Sequence, residues 1–184
     1  MLFNTLKFAI FFGAVYMLYR LLRHRWQNRL LLLASYVFYA FWDWRFLSLI
    51  ILSTLFNYYF GLKIDTASGQ KKRKSFLVVC VILNLGMLGF FKYFNFFAEN
   101  MAAFLGLFGY HPGWVTLNII LPLGISFYTF QAMSYTIDIY RGVIKPTRDL
   151  PDFALFIAFF PQLVAGPIER ARNLIPQIQA ERKI

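Results

Sequence analysis

The chain has 184 residues, of which 59% are hydrophobic and 21% aromatic, and its mean hydropathy is +0.55. Only 15% of the residues are charged, against about 25% in soluble domains, and a soluble fold of this length could not bury so much apolar surface. The net charge of +11 comes from Lys and Arg in short runs between apolar segments. This pattern argues against nucleic-acid binding and indicates loops that face anionic lipid.

Six apolar segments follow one another along the chain, and a membrane helix needs roughly 20 apolar residues. The first, fourth and fifth are long enough to cross a bilayer. The second and third are shorter, and we interpret them as a helical hairpin around a tight turn at residues 43–45, with Asn57 bonding between helices. The segments are residues 2–22, 30–42, 46–62, 76–97, 118–140 and 153–168.

The sixth segment differs from the others because Pro161 interrupts it and Ala165-Gly166-Pro167 closes it. Proline inside a helix removes a hydrogen bond, and broken backbone at membrane depth is tolerated only inside protein or beside a wet cavity. We therefore predict that residues 153–168 are re-entrant. The predicted fold is all-α: a polytopic transmembrane bundle of about five spans plus this re-entrant segment, forming one unit over residues 1–184.

The distribution of basic residues predicts the orientation. If the amino terminus lies outside, the loops at residues 20–29, 63–75 and 141–152 are cytoplasmic and hold twelve Lys and Arg, whereas the outer loops hold one. Cytoplasmic loops are enriched in these residues. One outer loop, residues 98–117, contains His111 and is predicted to form a short amphipathic helix followed by a turn.

The fifth segment is the most polar of the predicted spans. Gln131, Ser134, Tyr135 and Asp138 follow i, i+3, i+4, i+7 spacing and therefore share one helix face. Such groups face a protein interior or a wet cavity. We favour an ion pair between Asp138 and Arg141 one turn later; the alternative is that the stripe lines a substrate path.

The residues offer little catalytic machinery. His24 and His111 lie far apart, the single cysteine Cys80 lies in an apolar run, and Ser126 and Ser134 have no nearby histidine to act as base. The sequence thus predicts no catalytic residue, no cofactor-binding residue and no metal ligand within this chain.

Four motifs carry a family resemblance. They are LPLGISFYTFQ at residues 121–131, continuing through Ser134 and Tyr135 to residues 138–142; FFPQLVAGPI at residues 159–168, followed by Arg170; LASYVFYA at residues 33–40; and GFFKYFNFF at residues 89–97. Together they resemble the membrane-bound O-acyltransferase family, in particular its bacterial branch of alginate O-acetyltransferases and the teichoic-acid D-alanyl transfer protein.

The resemblance implies transfer of an acyl group, commonly acetyl, to hydroxyls of an exported polysaccharide such as alginate or another envelope polymer. In the family the acyl donor arrives from the cytoplasmic side of the bacterial inner membrane, and a histidine in a later membrane segment acts as base. Neither histidine here matches that position, so the chain resembles the amino-terminal part of such an enzyme and is expected to be inactive alone. Further envelope-polymer biosynthesis proteins are expected as partners.

What this chain could contribute is the wall of a tunnel. The candidate lining residues are Gln131, Ser134, Tyr135, Asp138, Pro161, Gly166 and Pro167. Two alternatives remain open: a non-catalytic helix bundle that serves as an assembly module, and a small transporter, although transporters usually contain paired broken segments and only one is evident here.

Overall fold

The computed structural model describes residues 5–110 and 121–181, and within these ranges it is helical with no strand. The predicted all-α class is confirmed. Two of the helices, His24–Thr66 and Gln70–Gly106, are long and apolar enough to cross a membrane. Within the described ranges the helices are α1 Leu6–Leu21, α2 His24–Thr66, α3 Gln70–Gly106, α4 Ile125–Tyr140, α5 Leu150–Ala158, α6 Phe160–Ala165 and α7 Ala171–Gln179.

Helix α1 corresponds to the first apolar segment, whose residues 2–4 lie outside the described part of the chain. The hydroxyl of Thr5 accepts from the backbone N–H of Phe8 and so caps the helix. No side chain of α1 is buried, but Phe8 and Phe11 contact the rings of Phe38 and Phe160. Helix α1 therefore packs against the bundle through the aromatic side chains of Phe8 and Phe11.

Helix α2 contains the predicted hairpin. Asp43 has extended backbone, φ −161° and ψ 114°, and separates a first arm of residues 24–42 from a second arm of residues 44–66. Leu32 and Leu55 line one pocket, although a straight helix would hold them about 35 Å apart. The arms thus run antiparallel. At the turn, Arg45 binds the Asp43 carboxylate at 2.7 Å, and these hydrogen bonds lower the Asp43 pKa.

A buried polar cluster joins the second arm of α2 to α3. Asn57 and Asn84 are both fully buried and exchange amide hydrogen bonds of 3.2 and 3.0 Å. The Cys80 thiol donates to Asn57 Oδ1 at 3.3 Å. Asn57 is therefore an interhelical hydrogen-bonding residue, as the sequence predicts.

Helix α3 is longer than its apolar core. Its 37 residues would extend about 55 Å, against the roughly 30 Å of a hydrocarbon core. The prediction of a separate short helix after residue 97 is wrong, because α3 continues without interruption to Gly106. Residues 98–105 contain no Gly or Pro that would break it. His111 lies outside the described residues.

Helix α4 begins later than the sequence suggests. The predicted span began at residue 118, but residues 121–124 form a turn, and the helix starts at Ile125. Pro122 and Gly124 cause this difference: Gly124 caps the helix with φ +71°, a left-handed conformation that glycine adopts readily. Residues 118–120 lie outside the described ranges.

The sixth apolar segment is broken as predicted, although the break falls at Phe159 and not at Pro161. Phe159 has ψ 105°, and Pro161 lies in the first turn of α6, where a missing N–H costs nothing. The chain then reverses. Asp152 at the start of α5 and Ile178 near the end of α7 both accept from Asn28 Nδ2, whereas Phe160 lies against Ser35, two turns along α2.

Candidate functional site

The four predicted stripe residues do share one side of α4. Gln131, Tyr135 and Asp138 are 1%, 0% and 7% exposed, and Ser134 is half-buried. Gln131 and Tyr135 face α5, since Gln131 bonds the Phe156 carbonyl and the Tyr135 ring lies 4.5 Å from that of Phe153. The stripe is thus packed against the broken segment.

Gln131 and Ser35 together replace one hydrogen bond of a continuous helix. In an unbroken helix the N–H of Phe160 would donate to the carbonyl of Phe156, four residues earlier. Here the Phe156 carbonyl accepts from Gln131 Nε2, and the Phe160 N–H donates to Ser35 Oγ at 3.2 Å. Side chains from α4 and α2 satisfy both halves of the broken bond, so the break is part of the packing and leaves no unpaired backbone there.

Gln162 extends this arrangement into the turn after α6. Its Nε2 donates to Gln131 Oε1 at 3.3 Å and to the Pro167 carbonyl at 3.0 Å. Gly166 packs closely against the side chain of Gln162, because a Cβ at position 166 would stand 2.8 Å from Gln162 Cγ. The turn therefore packs on the polar face of α4, and it does so through Gln162, which our candidate residues omitted.

The turn before α4 also contacts α6. The Tyr39 hydroxyl donates to the Leu123 carbonyl at 2.9 Å, and a Cβ on Gly124 would meet the Leu163 carbonyl at 3.4 Å. Residues of three motifs, those at 33–40, 121–131 and 159–168, thus meet around α6. We call this contact region the motif junction.

The rest of the stripe lies closer to the basic end of the bundle. Ser134 donates to the Gln131 carbonyl at 2.8 Å, and the Tyr135 hydroxyl accepts from the Thr147 N–H at 3.2 Å. The expected ion pair of Asp138 with Arg141 is wrong, because no salt bridge joins these two residues in the described part of the chain. Arg141 is the C-cap residue of α4 and is exposed, whereas Asp138 is buried.

Asp138 keeps an unpaired acceptor. Its Oδ2 is buried without a hydrogen-bond partner in the described part of the chain, and Thr129 Oγ1 on the same helix is in the same situation. Buried polar atoms are normally paired, so each such atom calls for a partner such as water, a ligand or another protein segment.

Pro161 faces a different direction from the stripe. It borders an apolar cavity of about 330 Å³ between α1, the first arm of α2 and α7. Gly166 is half-buried and Pro167 is exposed. The seven candidate residues therefore divide into a packed group on α4, linked through Gln162 to the turn, and one cavity-lining proline.

Histidine and metal chemistry gain no support from the described residues. His24 lies at the start of α2, beside a polar pocket, and no group of three metal-ligating side chains occurs within residues 5–110 and 121–181. What the arrangement does provide is a fixed break in a buried helix, held by amide and hydroxyl groups, with an unpaired carboxylate oxygen further along the same face.

Comparison with known proteins gives relatives over almost the whole chain. It is 45% identical over 179 residues to a probable alginate O-acetylase of Azotobacter vinelandii, and 45% identical over 180 residues to that of Pseudomonas aeruginosa. It is 36% identical over 209 aligned positions to a peptidoglycan O-acetyltransferase of Helicobacter pylori. These alignments cover 96–97% of this chain but 34–39% of the relatives.

The resemblance to membrane-bound O-acyltransferases that the motifs indicate is thereby confirmed, and the chain spans about a third of the length of these relatives. No protein-family model matches the chain, and no solved structure matches it significantly.

Proposed function

We propose that this chain, a relative of alginate O-acetylases, forms the amino-terminal part of a bacterial membrane-bound O-acyltransferase. The enzyme transfers an acyl group, acetyl in the first instance, to hydroxyls of an exported polysaccharide such as alginate or another envelope polymer. The observation that supports this most strongly is the 45% identity over 96% of the chain to alginate O-acetylases. The base that activates the acceptor hydroxyl is a histidine in the remainder of the longer protein.

In this proposal the chain supplies part of the tunnel wall. At the motif junction the break between α5 and α6 is held rigidly beside α4. The buried Asp138 Oδ2 accepts a hydrogen bond from the rest of the protein or from a substrate. A preorganised polar wall of this kind positions reactants without reorganisation during the reaction. The lining residues proposed are Gln131, Ser134, Tyr135, Asp138, Pro161, Gly166 and Pro167.

The proposal places the chain in the inner membrane as a multi-pass protein with its amino terminus outside. The structure supports a common end for the basic segments, because Tyr58 bonds Arg148, Arg73 bonds Tyr140, and Asn28 bonds Asp152. The acyl donor would reach this end from the cytoplasm. The polysaccharide acceptor and other envelope-polymer biosynthesis proteins would be met at the opposite face.

Reporter fusions test this orientation. A reporter after Gln70 should behave as cytoplasmic and one after Gly109 as external, because of the excess of Lys and Arg in the segments that meet at the first end. The opposite pair of results would reverse the topology and the side from which the donor enters.

The catalytic proposal is tested with Asp138→Asn in the full-length protein, expressed in a host that lacks its own polymer O-acetylation. We expect the acetyl ester content of the polymer, measured by NMR, to fall at least about tenfold if the carboxylate interacts with the reacting groups. Asp65→Asn, an exposed aspartate on α2, is the matched control. Normal acetylation by Asp138→Asn at equal protein level would remove Asp138 from the proposed wall.

The 184-residue chain by itself should not transfer acetyl groups. Purified in detergent and assayed with an acetyl donor and polysaccharide, it should match an inert membrane-protein control, because none of its apolar segments contains a histidine base. The alternative of a non-catalytic assembly module predicts something further: the full-length protein would also be inactive while still co-purifying with other envelope proteins.

A further inference from the structure

A polar pocket of about 230 Å³ lies at the basic end of the bundle, where α2 begins, α5 begins and α7 ends. It is separate from the motif junction. The residues that matter are Arg25, Asn28, Arg29, Asp149, Asp152 and Gln179. The pocket, which His24 also lines, thus presents two guanidinium groups, two carboxylates and an imidazole within one small volume.

Asn28 adds a buried acceptor to this pocket. It is 4% exposed, and its Nδ2 donates to Asp152 Oδ1 at 2.9 Å and to the Ile178 carbonyl at 2.8 Å. Both partners accept hydrogen bonds, so the atom of the Asn28 amide that faces them must be its nitrogen. Its Oδ1, an acceptor, is buried without a hydrogen-bond partner among the described residues. A group that donates a hydrogen bond would complete it.

The apolar cavity that Pro161 borders adjoins this pocket. Leu31, one turn after Asn28, and Ile178, next to Gln179, both line it, together with Leu174. Phe12 and Tyr16 on α1 also line the cavity and are about half exposed, at 49% and 51%. An apolar compartment bordered by exposed aromatic side chains of α1 therefore lies next to the polar one.

The surroundings place this pair of compartments at the level of lipid headgroups. Trp26 is 57% exposed beside the pocket, and the Arg29 guanidinium stacks over its ring at 4.8 Å. Exposed tryptophan next to arginine is typical of the membrane–water interface.

We propose that the two compartments bind one phospholipid with a primary-amine headgroup, as in phosphatidylethanolamine. Arg25 and Arg29 bind its phosphate, while Asp149, Asp152 and Asn28 Oδ1 accept hydrogen bonds from its ammonium group. One acyl chain occupies the cavity lined by Leu31 and Leu174. An anionic glycerol headgroup would face the carboxylates without an ammonium, and a choline headgroup has no N–H to donate. The site depends on the chain lying in a membrane but not on acyl transfer.

Native mass spectrometry of the protein in mild detergent tests this proposal. Dioleoyl-phosphatidylethanolamine should bind about tenfold more tightly than the choline and glycerol lipids with the same acyl chains, since charge-assisted hydrogen bonds discriminate by about this factor. Equal binding of the ethanolamine and choline lipids, or tighter binding of the glycerol lipid, would overturn the proposal.

Two variants separate the parts of the site. Asp149→Asn keeps the helix cap, because asparagine caps as well as aspartate, but it should reduce the preference for ethanolamine over choline. Val15→Trp, which projects into the apolar cavity, should weaken all three lipids equally. Lys72→Gln, at an exposed lysine of α3 outside the site, is the control and should change neither the headgroup preference nor the lipid affinities. An unchanged headgroup preference in Asp149→Asn, or unchanged affinities in Val15→Trp, would refute the corresponding half of the assignment.

Discussion

Helices α3 and α5 are both apolar, yet they lie in opposite surroundings. In α5, six consecutive residues from Phe153 to Ala158 are buried, whereas in α3 only four of 37 residues are buried, namely Cys80, Asn84, Leu88 and Ala98. Both arms of α2, together with α4 and α7, enclose α5. The outer side of α3 is covered by nothing in the described chain, and it requires lipid or another protein segment to cover it.

Helices α3 and α5 also differ in where their polar contacts lie. On α3 the buried side includes a polar contact, since Asn84 and Cys80 bond Asn57 across to α2. Between helices in lipid there is no hydrophobic driving force, and association depends on close packing and on hydrogen bonds. At α5 the packing is apolar on all sides, and polar groups appear where the backbone is broken. Apolar side-chain packing thus holds α5 in the bundle, whereas side-chain amide hydrogen bonds hold α3 against α2.

The largest expected effect is at the enclosed helix. Phe156→Ala should lower the free energy of unfolding by about 3 kcal/mol, because the side chain is fully buried and its removal leaves a cavity. Phe97→Ala on α3 is the matched control, since Phe97 is 66% exposed, and it should cost less than about 0.5 kcal/mol. Denaturation in mixed detergent micelles measures both. A similar loss for the two variants would show that α3 is as enclosed as α5 in the folded protein.

A smaller effect is expected at the asparagine pair. Asn84→Leu should cost about 1.5 kcal/mol, because it leaves the buried Asn57 amide short of a partner. The double variant Asn57→Leu/Asn84→Leu should cost less than the sum of the single variants, with a coupling of about 1 kcal/mol. Asn100→Leu, at an exposed asparagine of α3, serves as control. Additive single and double effects would mean that the two amides contribute independently.

Local sequence rules predicted several of these features. The turn at Asp43 lies between apolar runs that are shorter than a membrane span. Pro161 indicated a break in the sixth segment, and the helix is broken two residues earlier, at Phe159. The face shared by Gln131 and Tyr135 follows from helical periodicity. Each of these depends on residues that are neighbours in sequence.

Three other features were not predicted. Hydropathy cannot tell that Pro122 and Gly124 form a turn, because the residues around them are as apolar as a helix core. The i, i+3 rule paired Asp138 with Arg141, although the latter caps the helix and is exposed. Gln162 and Ser35 bond across the break only because three helices meet there, and their occurrence within motifs was the available sign.

The smallest expected effect concerns two glycines, Gly61 in a close helix contact of α2 and Gly86 on the open side of α3. Gly61 on α2 allows close approach of α4: a Cβ at this position would stand 2.9 Å from Tyr135 Cε1 and 3.1 Å from Ile139 Cδ1. Gly61→Ala should therefore cost about 1 kcal/mol, the overpacking penalty being partly offset by the better helix propensity of alanine. Gly86→Ala on α3 is the matched control, because no atom lies within 4 Å of its Cβ position. It should gain about 0.5 kcal/mol from helix propensity alone. Opposite signs for the two variants in the same denaturation assay are expected, whereas a loss at Gly86 would reveal a partner packed against α3 and remove the contrast between the two regions.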